Sequence, residues 1–188
     1  KYFYHMIDCY GNTPLIFICS ESMNEIALQF IDKYSEDCKP DHTNNNGDTA
    51  LIWSCYKSMY EVALRLIDEF DFMCKPDQIN DDLETALIFA CKNGMDDVAL
   101  KLIDKYGEIC KPDHVDEDGN TALIYACKYE KEKVALKLID TFGENCKPEQ
   151  INNNGDTPLI SACENEMEKV ALKLIDTFGE KCKPEHVN

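Results

Sequence analysis

The chain has 188 residues, 44% of them hydrophobic, and its 36 acidic residues outnumber 19 basic ones for a formal charge of −17 at pH 7. That charge repels the phosphates of nucleic acid and of anionic lipid and favours a basic protein as partner. No apolar run approaches the roughly 20 residues of a membrane-spanning helix, so a soluble chain with neither nucleic acid nor membrane as partner is expected.

In chain order one unit recurs. Thr13, Thr49, Thr85, Thr121 and Thr157 each open a Thr-(Ala/Pro)-Leu-Ile segment, every one 36 residues after the last. A period of this size predicts a solenoid, because a single unit cannot cover its own apolar face and must stack on a neighbour. The units run approximately over 8–43, 44–79, 80–115, 116–151 and 152–187, as one array with no internal linker. The chain starts at Lys1 without a Met and stops at the phase of the repeat where it began, and it reads as a piece of a longer protein.

The fourth unit shows the expected elements. Asp116-Glu117-Asp118-Gly119-Asn120 is a turn, since Asp, Asn and Gly tolerate positive φ and bond locally to the backbone. Thr121 suits a helix N-cap, and Pro14 and Pro158 suit the first helical position in their units. Leu123, Ile124, Ala126 and Cys127 then mark a first helix of about ten residues. Val134 to Asp140 carries a second helix, with Phe142 one turn beyond and Gly143 at its C-terminal cap. In Cys146-Lys147-Pro148 the residue before proline is expected to be extended.

Ten of the eleven cysteines keep the same period, at Cys19, Cys55, Cys91, Cys127 and Cys163 and at Cys38, Cys74, Cys110, Cys146 and Cys182. They read as reduced thiols packed as small hydrophobes, in a cytoplasmic compartment. No Cys-x-x-Cys occurs, and the alternating spacing suits no zinc site. His42, His114 and His186 alternate with Gln78 and Gln150 at one loop position, which suits a hydrogen-bonding role. There is no phosphate-binding loop, nucleophile elbow or metalloprotease motif, so neither an enzyme nor a bound cofactor is expected.

Gly155-Asp156-Thr157-Pro158-Leu159-Ile160-Ser161-Ala162-Cys163 resembles the Gly-x-Thr-Pro-Leu-His-x-Ala-Ala opening of the ankyrin repeat. The resemblance covers essentially the whole chain and implies an all-α ankyrin-repeat solenoid, in which helix-turn-helix units joined by hairpin-like loops bind proteins through loop tips and first helices on a concave face. Two departures stand out. Ile16, Ile52, Ile88, Ile124 and Ile160 replace the family histidine, and each unit is about three residues longer than usual, at the end of helix two and its loop. The Asn-, Lys- and Ile-rich composition is similar to that of ankyrin proteins of giant viruses of amoebae, for which the location would be the host cytoplasm; a bacterial effector or protozoan protein of like composition reads the same.

The tips hold Asp8, Asp48, Asp81, Asp82, Glu84, Asp116, Glu117, Asp118 and Asp156 and neither Lys nor Arg. Stacked at about one helix diameter per unit, they would make one acidic edge for a basic partner. Positions that vary between units are free for recognition, which adds Tyr56, Tyr60 and Tyr129 as anchors, Leu83 where other tips place Gly, and Asn120. Phe17, Trp53, Phe89 and Tyr125 share one repeat position that reads as packing between units, and of these Trp53 alone is a surface candidate. The expected function is a monomeric, non-catalytic protein-binding scaffold. The alternatives are a thiol-based redox or metal-buffering protein, or a passive spacer in a larger multidomain one.

Overall fold

A computed structural model describes residues 6–182, apart from the side chains of Glu36 and Cys182. The side chain of Cys182 and all of His186 therefore lie outside the described residues.

Five helix pairs follow one another: α1 (Pro14–Ser20) and α2 (Asn24–Tyr34), α3 (Ala50–Tyr56) and α4 (Tyr60–Phe70), α5 (Ala86–Lys92) and α6 (Asp96–Tyr106), α7 (Ala122–Lys128) and α8 (Glu132–Phe142), α9 (Pro158–Glu164) and α10 (Glu168–Phe178). Among the described residues there is no strand. Each first helix packs on its own second helix and on the first helices beside it, and the second helices stack likewise, so two helical layers form an all-α solenoid.

Each first helix starts at its threonine. The Oγ of Thr13, Thr49, Thr85, Thr121 and Thr157 accepts from the N–H of the isoleucine three residues on, at 3.1–3.3 Å, occupying one amide that would otherwise be unpaired. The helices are seven residues long rather than about ten. A left-handed residue ends each one, at Ser22, Ser58, Gly94, Glu130 and Glu166. The following N–H then bonds five residues back, as from Met95 to the Ala90 carbonyl at 2.8 Å. That C-terminal motif turns the chain into the second helix.

The second helices run eleven residues. α8 includes Phe142, and Gly143 caps it at φ 54°. A turn of 3-10 helix follows at Asp71–Cys74, Gly107–Cys110 and Gly143–Cys146. Lys75, Lys111 and Lys147 are left-handed, not extended as their place before proline predicts. Each sends its N–H three residues back to close the 3-10 turn, and the reversal required there overrides the local pre-proline preference.

Leu15, Leu51, Leu87 and Leu123, with Val62, Val98, Val134 and Val170, form fully buried rows along the array, each side chain contributing about 1.5–3 kcal/mol. The aromatic row is covered from the preceding unit, except at Phe17, which has none before it among the described residues and is exposed rather than packed between units as expected. Tyr56 lies 5.1 Å from Phe89, and Lys92 Nζ lies 5.4 Å from the Tyr125 ring centre; both rings are buried. Ser20 precedes Trp53 in the same way and is too short to cover it, so the indole stays half-buried.

On the second-helix side, Arg65 pairs with Asp32, Lys101 with Asp68, Lys137 with Asp104 and Lys173 with Asp140. Each pair joins a unit to the one before it. Exposed as they are, each contributes only about 0–1 kcal/mol.

Candidate functional site: the row of tips

The tips comprise residues 8–12, 44–48, 80–84, 116–120 and 152–156. In each, the first side chain folds the turn by accepting backbone N–H bonds from inside it: Asn44 Oδ1 from Asn46 and Asp48, Asp116 Oδ1 from Asp118 and Asn120, Asn152 Oδ1 from Asn154 and Asp156, all at 2.8–3.0 Å. The asparagine amide is then free to reach the preceding tip. Asn44 donates to Asn12 Oδ1 at 3.0 Å, Asn80 to Asp48 Oδ1 at 2.9 Å and Asn152 to Asn120 Oδ1 at 2.9 Å. Single backbone bonds run beside this ladder, from Asn45 N–H to the Tyr10 carbonyl, Asp81 to Asn46 and Asn153 to Asp118.

Three residues that the sequence places on the docking surface are buried: Asp48, Asp116 and Asn120 are 6%, 7% and 3% exposed. The following tip bonds Asp48 and Asn120 through Asn80 and Asn152. Asp116 is held within its own unit, accepting from Asp118 and Asn120 in its turn and from the Tyr125 hydroxyl at 2.7 Å. The loop histidines buttress the tips: His42 Nε2 donates to the Gly11 carbonyl and His114 Nε2 to that of Leu83, both at 2.9 Å, and Gln150 does the same for Gly119 at 3.2 Å. Gln78 instead bonds the Ile79 carbonyl.

Asp81, Asp82, Leu83, Glu117 and Asp118 are exposed. Tyr56, Tyr60 and Tyr129 are exposed too. The Tyr60 hydroxyl donates to the Gly94 carbonyl of the next unit at 2.8 Å, and the Tyr129 ring stacks on Tyr125 at 6.0 Å. Glu84 is partly buried, and its Oε1 takes the Lys92 ammonium at 2.9 Å. Burial pushes the carboxyls of Asp48 and Glu84 above their ordinary range, against the hydrogen bonds from Asn80 to Asp48 and from Lys92 to Glu84.

A recess of about 370 Å³ opens between the second and third tips, walled by Trp53, Tyr56 and Phe89 on the helix side and by Asp48, Asp82 and Glu84 on the tip side, with Lys92 at its margin. Five of the residues singled out in the sequence meet there. Phe89 and Lys92 were missed as site residues. Lys92 stands eight residues after Glu84, and only the fold of tip onto helix brings the two together. Tyr60, Leu83 and Tyr129 are not part of the recess. The Trp53 Nε1–H is buried without an acceptor among the described residues.

Every described cysteine is a free thiol, and Cys9 and Cys163 are the exposed ones. Cys163 belongs to the row expected in the core. Its counterparts have a further unit stacked on them, and it has none among the described residues. Burial pushes Cys19, Cys38, Cys110 and Cys146 up to about 12 and raises Cys55, Cys74, Cys91 and Cys127 as well. Such thiols hold almost no thiolate at neutral pH, which redox exchange requires. Among the described residues no three His, Cys, Asp or Glu side chains are placed to hold a metal ion.

Threonine-capped helix pairs, a two-layer stack and one row of turn tips define a repeat-built scaffold. The family model for ankyrin repeats in three copies matches residues 15–113, 70–148 and 87–185, and the chain belongs to this family. Ankyrin repeats serve in general as protein–protein interaction scaffolds, and the family is generally non-catalytic. Among solved structures, the chain is similar to one in the complex of the predatory endopeptidase Bd0816 from Bdellovibrio bacteriovorus with immunity protein Bd3460, at 24% identity and a TM-score of 0.67 over 92% of this chain and 84% of that one. As 363 solved chains match, the likeness speaks for the shared fold. A comparison with curated proteins found no match. Among the described residues no helix is long and apolar enough to cross a membrane.

Proposed function

We propose that the chain is a non-catalytic scaffold that binds, as a monomer, a basic protein partner along its tips and the adjoining first helices. The candidate contacts are the carboxylates of Asp81, Asp82, Glu117 and Asp118, the side chain of Leu83, and the rings of Trp53, Tyr56 and Tyr129, with Tyr60 at the start of α4. The uneven placement of cations carries this reading. Arg65, Lys101, Lys137 and Lys173 are paired across units on the second-helix side, whereas those four tip carboxylates have no ion-pair partner among the described residues. The third tip is bonded to the second and the fourth to the fifth, and turns fixed in this way lower the ordering cost of association. Their unpaired charge speeds the approach of a basic partner and weakens with salt.

Fluorescence anisotropy with a labelled decalysine peptide tests this at low and high salt. Neutralising Asp81, Asp82, Glu117 and Asp118 together by Asn or Gln is expected to weaken binding by about tenfold or more at low salt, and high salt should do the same to the native protein. Equal binding by both proteins would remove the edge as the recognition surface.

A further inference from the structure

The recess between the second and third tips differs from the rest of the edge in having aromatic walls. Tyr56 stands between two other rings, 5.5 Å from Trp53 at 70° and 5.1 Å from Phe89 at 58°, so ring faces and edges line one side while carboxylates line the other. We infer that this recess takes the guanidinium of an arginine side chain projecting from the partner. The inference rests on the scaffold reading above and gives it one specific contact.

The lining matches that group. A guanidinium is planar and weakly hydrated, stacks on aromatic faces, and donates in a fixed fork to carboxylates, whereas an ammonium keeps its water and acts as a point charge. The rings already attract cations from within the chain. Lys57 Nζ sits 5.5 Å from the Trp53 ring centre and 5.2 Å from that of Tyr56, and Lys92 Nζ sits 5.8 Å from that of Phe89. The charge balance leaves a place open: Asp48, Asp82 and Glu84 are three carboxylates against two ammoniums, that of Lys92, which is held by Glu84, and that of Lys57, which lies over the Trp53 and Tyr56 rings and is not among the lining residues. Asp82 is exposed and has no ion-pair partner among the described residues. The neighbouring recess, about 190 Å³ between the third and fourth tips, is lined by Asp82, Glu84, Asp116, Glu117 and Asp118 without any ring, and an acidic lining alone does not select a guanidinium.

Trp53 is the only tryptophan and reports directly on the recess. The native protein is titrated at low salt with acetyl-Gly-Arg-Gly-amide and with the same tripeptide carrying lysine or citrulline in place of arginine, following Trp53 emission. The arginine peptide should give a saturable change, with the lysine peptide about threefold weaker and the uncharged citrulline peptide about tenfold weaker. Tyr56→Ser and Asp82→Asn, both at exposed positions, should each weaken the arginine peptide by about threefold or more, and Lys92→Met should strengthen it, because it removes the competing ammonium and frees Glu84. Asp176→Asn makes the same charge change as Asp82→Asn, on the second-helix side, and should leave binding unchanged. Citrulline binding as well as arginine, lysine binding better, no saturable change, or equal effects of Asp82→Asn and Asp176→Asn would each overturn the assignment. If the tripeptide fails while decalysine still binds in a salt-dependent way, the recess is ruled out and the edge stands; if both fail, the scaffold reading falls with it.

Discussion

Glu84 and Asp116 meet across the third and fourth tips at the one junction, among the described residues, that no asparagine amide bridges. Elsewhere Asn44, Asn80 or Asn152 donates to the fifth residue of the preceding tip. Here the donor position holds a carboxylate and so does the acceptor, both lining one small recess, and no backbone bond between Asp82 and Glu117 accompanies them. In a Tyr125→Phe background, which removes the hydroxyl that donates to the second Asp116 oxygen, Asp116→Asn supplies the missing donor while keeping the acceptor for Asp118 and Asn120. It should raise stability by about 1 kcal/mol, read as a higher urea midpoint at unchanged slope. An unchanged or lower midpoint would mean that the junction is satisfied in another way.

The buried carboxyls set a pH dependence. Burial, against opposing hydrogen bonds, raises Asp48 and Glu84 above their ordinary values in the folded chain. The native state therefore binds more protons than the unfolded state between the ordinary and the raised values, so stability rises as pH falls through that window and the full penalty applies above it. Asp8 runs the other way. Its carboxyl is lowered, chiefly by the Asn12 N–H, and the stability it contributes is lost only in more acidic solution. The melting temperature should rise as the pH is lowered from 7.5 toward the ordinary carboxylate range, with a smaller rise in Asp48→Asn, since Asn12 and Asn120 already occupy the same tip position. A melting temperature that rises toward pH 7.5 would contradict this.

Leu83 carries φ 56° at the tip position where Gly47 and Gly119 have φ 77° and 81°. A side chain in the left-handed region costs about 1–2 kcal/mol, and this one is exposed, so little packing offsets the cost. Leu83→Gly should stabilise the array by up to about 1 kcal/mol. If Leu83 anchors the partner, the same change weakens binding, and comparing denaturation with affinity separates the two effects.

The thiols divide by burial. In a Cys182→Ala background, a maleimide should modify Cys9 and Cys163 rapidly and the other eight only as the array opens, as mass spectrometry of the labelled protein would show. Cys91→Ser places a hydroxyl in the fully buried row and should cost about 1–3 kcal/mol. Fast modification of all ten would be incompatible with the two-layer core.

The helices, their threonine caps and the buried rows were legible in the sequence because they follow from local chemistry repeated five times. The left-handed Lys75, Lys111 and Lys147 were not, because the reversal after the 3-10 turn overrides what proline imposes on its neighbour. The acidic edge was legible as a set of turn residues. Which carboxylates reach solvent was not: Asp48 is bonded by the next tip and Asp116 by Tyr125 of its own unit, while Asp81, Asp82, Glu117 and Asp118 are left outside. Lys92 escaped notice for a related reason, since its partner Glu84 lies across a helix start.

The pairing of second-helix cations with the carboxylates of the preceding unit clips every junction on the side away from the tips. It does not make that side neutral, since the second helices and their loops hold as large an excess of carboxylates over cations as the tips do. A cationic partner would therefore be drawn toward the whole molecule, and the choice of side would fall to the short-range contacts made once the two surfaces touch.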